Sequence, residues 1–379
     1  MQKILVIGAG MVGRAMAVDL CRAFDTTLAD IDEERLALIR EHHPIRVVAL
    51  NAADQEAVRR AAAGQDLVIG AVPGFLGFET VRAVIEAGRN IVDISFFDED
   101  AFALDEMAKE KGVTAVVDCG VAPGMSNVIL GHHAARMEVE DFECVVGGLP
   151  VKRTWPYQYK APFSPIDVFE EYIRPARLVE NGRVVTRPVL SGAEYVDIDP
   201  VGTLEASNTD GLRTLLRTMK VPNMREKTLR YPGHFEYIRL LLESGFFDKE
   251  PIDVNGATVR PIDVTARLLF PRWRLAEDEP ELTVMRAILR GRREGKPVEI
   301  VYDLFDRYDE ETRTSSMART TGYTATAAAT LLLDGSFDRK GICPPEYLGA
   351  EPGCFERLLA YQKERGVIYE RTERLLPED

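Results

Sequence analysis

Cysteine, histidine and positive charge are all in short supply. The 379 residues hold five cysteines (Cys21, Cys119, Cys144, Cys343, Cys354), odd in number, scattered and without C-x-x-C spacing. That excludes a disulfide framework or a cysteine zinc site and fits the reduced thiols of a cytoplasmic protein. Among five histidines, His42-His43 and His132-His133 lack the i, i+4 spacing and acidic companions of a metal centre, so no metal is expected. Lys and Arg number 47 against 61 Asp and Glu, a formal charge of −14, which excludes a nucleic-acid partner and binding to anionic membranes. No apolar run approaches the ~20 residues needed to span a bilayer. Lys3 and ILVIGAGMV imitate a signal peptide, but three glycines and Arg14 interrupt the run, and export is not expected. Internal repeats and low-complexity linkers are missing too. What remains is a soluble globular chain, 46% hydrophobic and 28% charged, long enough for two domains.

In the first third, short apolar runs alternate with helical patterns. Strands are predicted at 3–8, 26–30, 46–50, 66–72, 90–95 and 114–120, with 3.6-period helices between them. Runs this continuously apolar are covered on both faces, as in a parallel sheet. Six such units predict an α/β doubly wound sheet of the Rossmann type, with ligands beyond the carboxyl ends of its strands.

The first strand runs into GAGMVG, with Gly8, Gly10 and Gly13, and Asp30 ends the second strand 17 residues beyond Gly13. In that context the glycines allow a tight turn, close approach of backbone to a pyrophosphate, and close helix–strand packing. Asp30 suits the adenosine ribose hydroxyls. A carboxylate there repels a 2′-phosphate, and Ile31-Asp32-Glu33 supply no cation, so NAD is expected over NADP. Asp30 as a plain helix N-cap is the alternative. Asn51-Ala52-Ala53 suits an adenine edge, with Asp54 free to cap a helix, and AVPGFLGF (71–78) reads as an irregular loop beside the nicotinamide ribose. The expected cofactor contacts are Gly8, Gly10, Met11, Val12, Gly13, Asp30, Ala52, Ala71, Val72, Pro73 and Asp93. The sixth strand ends in DCGVAPGMSN (118–127), where Ser126-Asn127 read as helix caps. Cys119 has no nearby His or cation to activate it and reads as packing.

From about residue 126 the pattern changes. A strand at 140–150, the aromatic loop 154–165, an Asn181-Gly182 hairpin and strands at 200–207, 227–232, 283–290 and 297–305 predict an α+β domain with a largely antiparallel sheet. The helix 317–333, rich in small residues, is expected to pack back onto the first domain. The expected division is 1–125, joined by about 320–379, and 126–319. In RYPGH, Arg230 suits a substrate carboxylate and His234 a proton relay, against the alternatives of a surface Arg and a structural His. Asn208-Thr209-Asp210-Gly211 is a polar turn or cap, and Asp210 could meet an ammonium group. Arg174 and Arg177 read as surface charges.

In order along the chain, GAGMVGRAMAVDL, PGFLGFET, DCGVAPGMSN, VGGLP, YIRPAR, RYPGH and SSMARTTGYT resemble the saccharopine dehydrogenase family, and within it the short L-lysine 6-dehydrogenases. The resemblance covers nearly the whole chain. It implies a Rossmann domain with a second, saccharopine reductase-like α+β domain that mediates homodimerisation. It also implies NAD-dependent oxidative deamination of the lysine ε-amine to 2-aminoadipate 6-semialdehyde, which cyclises to a piperideine carboxylate, with ammonia and NADH. The saccharopine-forming branch carries an acid immediately before the Pro-Gly, where this chain has Ala122. On that reading the carboxylates beside the nicotinamide are Asp93 and Asp118, each with the alternative of capping a turn. The reacting amine must be neutral, and the pKa of a lysine side chain is ~10.4, so activity is expected to rise with pH. Two alternatives stay open: a saccharopine or polyamine-carboxylate dehydrogenase of the same family, and a non-catalytic dinucleotide sensor.

Overall fold

In the computed structural model, residues 1–163, 165–276 and 278–377 are described. Ser164 of the aromatic loop and the last two residues of the segment expected to join the first domain lie outside them. The first domain is a parallel sheet of β1 (Lys3–Ile7), β2 (Asp25–Asp30), β3 (Arg46–Ala49), β4 (Leu67–Gly70), β5 (Asn90–Asp93) and β6 (Thr114–Val116). Along β1, Ile4 and Val6 join one buried cluster while Leu5 and Ile7 join another on the opposite face. Both faces are covered, as the unalternating apolar runs require.

The second domain is a mixed sheet. Its strands are β7 (Glu138–Pro150), β8 (Ala176–Glu180), β9 (Arg183–Arg187), β10 (Glu194–Ile198), β11 (Gly202–Asn208) and β12 (Asn223–Arg230). A separate small hairpin, β13 (Ile252–Val254) and β14 (Ala257–Val259), comes next, then the long pair β15 (Glu281–Arg293) and β16 (Lys296–Arg307). The order is β10-β11-β12-β7-β15-β16, antiparallel throughout except for β12 beside β7, which run parallel. Asn181 and Gly182 turn β8 into β9 with φ of 51° and 75°, the positive pair that a two-residue hairpin uses.

The chain then returns. β17 (Gly341–Ile342) pairs in parallel with β6 and completes the seven-stranded order β17-β6-β5-β4-β1-β2-β3, so the strand order reverses at β1/β4. The helix Ser316–Leu333 lies on the helix Met11–Leu20, where Gly322 faces Met16 and leaves room for close approach. Buried Asp19 accepts from Thr326 Oγ1 (2.9 Å), Tyr361 Oη (2.6 Å) and Arg365 Nε (2.7 Å), which fastens the returning segment to the first domain. The last strand departs from expectation. β18 (Tyr369–Leu375) pairs antiparallel with β16, because the edge of the second sheet offers it a backbone partner.

Candidate active site

A cavity of about 1300 Å³ runs from the glycine turn, past the carboxyl ends of the first-domain strands, to the face of β12 and β7. Its first-domain end is made of backbone. A Cβ on Gly13 would overlap the Gly8 carbonyl, and one on Gly8 (φ +113°) would overlap the Ala71 carbonyl, so these two glycines close the turn. A Cβ on Gly10 would meet nothing within 4 Å: this glycine keeps open the space at the start of the helix Met11–Leu20. A helix N-terminus with room before it suits the pyrophosphate of a dinucleotide. Gly8, Gly10, Met11, Val12, Gly13, Asp30, Ala52, Ala71, Val72 and Pro73 all line the cavity.

Asp30 also braces the turn. Its Oδ2 accepts from the Ala9 amide (2.5 Å) and its Oδ1 from the Asp32 amide (2.8 Å), while the N-cap of the next helix is Asp32. Asp54 caps the helix Gln55–Ala63. The stretch 71–78 is not an irregular loop: the helix Gly74–Glu86 begins directly after Pro73. Its glycines serve packing, since a Cβ on Gly74 would overlap the Phe96 carbonyl and one on Gly77 the Ser95 hydroxyl. In DCGVAPGMSN the helix starts at Met125 with Gly124 as N-cap. Ser126 and Asn127 lie inside its first turn, and Asn127 Oδ1 reaches back to accept from the Gly124 amide (3.2 Å). Burial pushes the Cys119 thiol pKa up, so it stays protonated, unlike a nucleophile.

Asp93, by contrast, does not line the cavity. It is fully buried, with Oδ1 accepting from the Ser95 amide (2.9 Å) and hydroxyl, while Oδ2 points at Gly70 without a partner. Burial raises its pKa to about 7, with nearby Asp118 adding to the shift. Asp118 does line the cavity, but Arg213 holds it: Nη2 and Nε lie 3.0 and 3.2 Å from Oδ1. Arg213 also donates to the Phe97 carbonyl (2.7 Å) and lies over the Phe96 ring, 4.4 Å from its centre. The pair therefore ties the two domains together.

The second-domain end is made of side chains. On β12, Glu226, Thr228 and Arg230 face the cavity at two-residue steps, while Lys227 points away to Glu194. The helix Pro165–Ile173 adds Asp167 and Glu171, one turn apart on the same face. Arg230 is buried and held from three sides: Nη2 to Glu171 (2.9 Å), Nε to the Tyr172 hydroxyl (2.9 Å) and Nη1 to the Leu229 carbonyl (2.9 Å). Two of its five N–H groups are left over. Burial opposes its charge, but Tyr172, Tyr159 and Glu171 outweigh burial and raise its pKa, so it remains a cation.

His234 and Asp210 lie outside this lining. The His234 Nδ1–H donates to the Tyr157 carbonyl (2.9 Å), which leaves Nε2 to accept from the Tyr172 hydroxyl (2.8 Å). Burial first, then the Arg230 charge, lowers its pKa to about 3. It is a neutral support behind Tyr172 and Arg230 rather than a group that meets substrate. Asp210 receives Arg177 Nε (2.8 Å) and Nη2 (2.7 Å), so its carboxylate is taken and Arg177 is not a free surface charge.

Sequence reasoning missed Glu226, Glu171, Tyr172 and Arg213. For Glu226 a signal existed: it lies four residues before Arg230 on one strand, hence on the same face. Glu226 is 2% exposed, its Oε2 has no partner, and burial, then Glu171, Asp210 and Asp118, push its pKa up to about 8. Gly211 is glycine because a Cβ there would overlap the Glu226 carboxylate.

A Rossmann domain whose cavity opens onto a charged wall of a second domain is the architecture of the two-domain nicotinamide-dependent dehydrogenases. The family assignment is specific. Residues 4–116 match the saccharopine dehydrogenase NADP binding domain and residues 120–367 the saccharopine dehydrogenase C-terminal domain. The chain belongs to the saccharopine dehydrogenase family. It is 22% identical to the mitochondrial alpha-aminoadipic semialdehyde synthase of Mus musculus over 91% of this chain and 45% of that protein. It is 24% identical to the NADP(+), L-glutamate-forming saccharopine dehydrogenase of Schizosaccharomyces pombe over 71% of this chain and 64% of that one. The chain thus spans about half the length of the synthase relatives. Its fold is that of saccharopine dehydrogenase (L-Glu forming) from Saccharomyces cerevisiae, with a TM-score of 0.78, 18% identity and coverage of 99% of this chain and 100% of that one. Homospermidine synthase from Legionella pneumophila, in complex with NAD, shares the fold at a TM-score of 0.68 and 11% identity, over 98% and 91% of the two chains. Among the described residues, no helix is long and apolar enough to cross a membrane, and no cluster of three metal-ligating side chains occurs.

Proposed function

We propose that the chain is an NAD-dependent dehydrogenase that oxidatively deaminates the ε-amine of L-lysine to 2-aminoadipate 6-semialdehyde. The observation that carries this reading is the charge of the inner wall. Asp167, Glu171 and Glu226 line the cavity together with one buried guanidinium, Arg230, which retains two N–H donors. That set suits a ligand with a single carboxylate for Arg230 and amines for the acids; saccharopine, with three carboxylates, meets repulsion there. The semialdehyde in the name of the synthase is the product proposed here. NAD is proposed over NADP because Asp30 stands at the rim, and Arg35, which shares the lining, is paired to Asp32 (3.0 Å).

A bound nicotinamide would supply the hydride acceptor. The rest falls to the protein. The glycine turn and the start of the helix Met11–Leu20 fix the dinucleotide. The Asp118–Arg213 pair holds the two domains at the angle that brings β12 opposite the first-domain strand ends. Arg230, made rigid by Glu171, Tyr172 and His234, anchors the amino-acid end, so the far amine lies within the cavity.

One observation favours a second reading, oxidation of saccharopine. The helix Pro261–Trp273 presents exposed Arg267 at the cavity rim, with Arg274 immediately after the helix, and further carboxylates could settle on them. The test is a panel of lysine, ornithine, saccharopine and diamines with NAD and NADP across pH, followed as reduced nicotinamide. Lysine with NAD is expected to turn over fastest. Turnover of saccharopine with lysine inert at every pH would discard the reading.

A further inference from the structure

We propose that Glu226 is the catalytic base that takes the proton from the reacting amine. The inference rests on the amine-oxidation reading, though not on which amine is used. It starts from position: Glu226 shares its face of β12 with Arg230, two positions along the same alternation, so one ligand reaches both. It continues with pairing. Among the acids near this wall, Glu171 is held by Arg230, Asp118 by Arg213 and Asp210 by Arg177, and Asp167 accepts from the Gly74 amide (3.4 Å). Asp93 Oδ2 is unpartnered but lies outside the cavity lining, whereas Glu226 lines the cavity and its Oε2 has no hydrogen-bond partner. A buried carboxylate left unpaired is costly and is kept only where the surroundings or a ligand compensate it. Gly211 supplies the room, since any side chain there would overlap this carboxylate.

The groups facing Glu226 come from every element around it: Glu171 from the helix, Asp210 and Arg213 from the loop after β11, Asp118 from the end of the β6 segment, Cys144 from the paired position on β7, and Arg230 from its own strand. Three are acids, and the two nearby guanidiniums are engaged with other carboxylates. A protonated amine is the ligand that relieves this crowding. The step balances as follows. The ammonium gives one N–H proton to Glu226 Oε2, and the freed nitrogen lone pair forms the C=N bond. The adjacent C–H bond breaks with its electron pair, the hydride for which a bound nicotinamide would be the acceptor. Water then adds to the iminium carbon and ammonia departs, carrying away the nitrogen.

The free carboxyl holds its proton up to about pH 8, so kcat/KM is expected to rise with pH through about 8. Glu226→Gln should lower kcat/KM about 10²–10⁴-fold at pH 8 and move the ascending limb toward the amine's own pKa of ~10.4. Glu226→Asp should retain part of the activity and keep an ionisation. A second readout needs no turnover. The carboxyl pKa is raised on folding, so its ionisation weakens the fold as pH climbs from the unfolded value to about 8. Glu226→Gln should therefore melt at the same or higher temperature than the native chain at pH 9, where a structural anchor would melt lower. Native kcat/KM and an unchanged ascending limb in Glu226→Gln would overturn the proposal, as would a lower melting temperature at pH 9. If the native enzyme oxidises another amine but not lysine, the lysine reading falls and the same comparison is made with that amine.

Discussion

The two ends of the cavity are built on different principles. The dinucleotide end is made of backbone and of missing side chains, closed by Gly8 and Gly13 and kept open by Gly10. The second-domain end is made of charges brought from the β6 end, the helix Pro165–Ile173, the loop 209–213 and β12. The first is broken by adding one methyl group, the second by taking one charge away. Close approach of backbone tolerates no extra atom, whereas a buried ion left without its partner pays the full cost of desolvation.

Breaking the charged end should have the largest effect. Arg213→Ala leaves Asp118 buried and uncompensated, with an expected loss of ~3–5 kcal/mol of stability by urea unfolding. Adding Asp118→Asn should recover part of that loss, and strictly additive effects of the two changes would sink the claim that the pair acts as a unit. Gly13→Ala at the other end should cost ~1–3 kcal/mol and abolish dinucleotide binding in a fluorescence titration, since the new Cβ meets the rigid Gly8 carbonyl rather than a flexible side chain. Native affinity for NAD in that variant would show that the turn can open.

The smallest effect is a difference in acid sensitivity. The second domain buries neutral His133 and His234, each lowered to about 3 by burial first. An unfolded chain takes up protons at ~6.5, so these residues cost the fold stability as pH falls from there toward 3. A His133→Gln variant should show a flatter urea midpoint between pH 6.5 and 4 than the native chain. Equal slopes would place the acid sensitivity elsewhere.

The same contrast explains what was legible. The glycine turn, Asp30 and the small-residue helix Ser316–Leu333 were readable because each is a local pattern with one geometric use. Asp210 and His234 were plausible as chemistry but not as positions: Arg177 lies 33 residues from Asp210, and Tyr172 62 from His234. Nothing local reveals that a distant partner has already taken a group. The stretch 71–78 failed differently. Its proline and glycines looked like a loop, but the Phe96 carbonyl and Ser95 hydroxyl demand glycine inside a helix.

By itself, then, the sequence determined the doubly wound sheet, the dinucleotide turn and the presence of a second, mixed domain, because hydrophobic period and glycine placement act over a few residues. Only the tertiary structure decided which acids are paired. That depends on which segments fold together around one wall, where Arg230 takes Glu171, Arg213 takes Asp118, and Glu226 Oε2 is left buried without a hydrogen-bond partner.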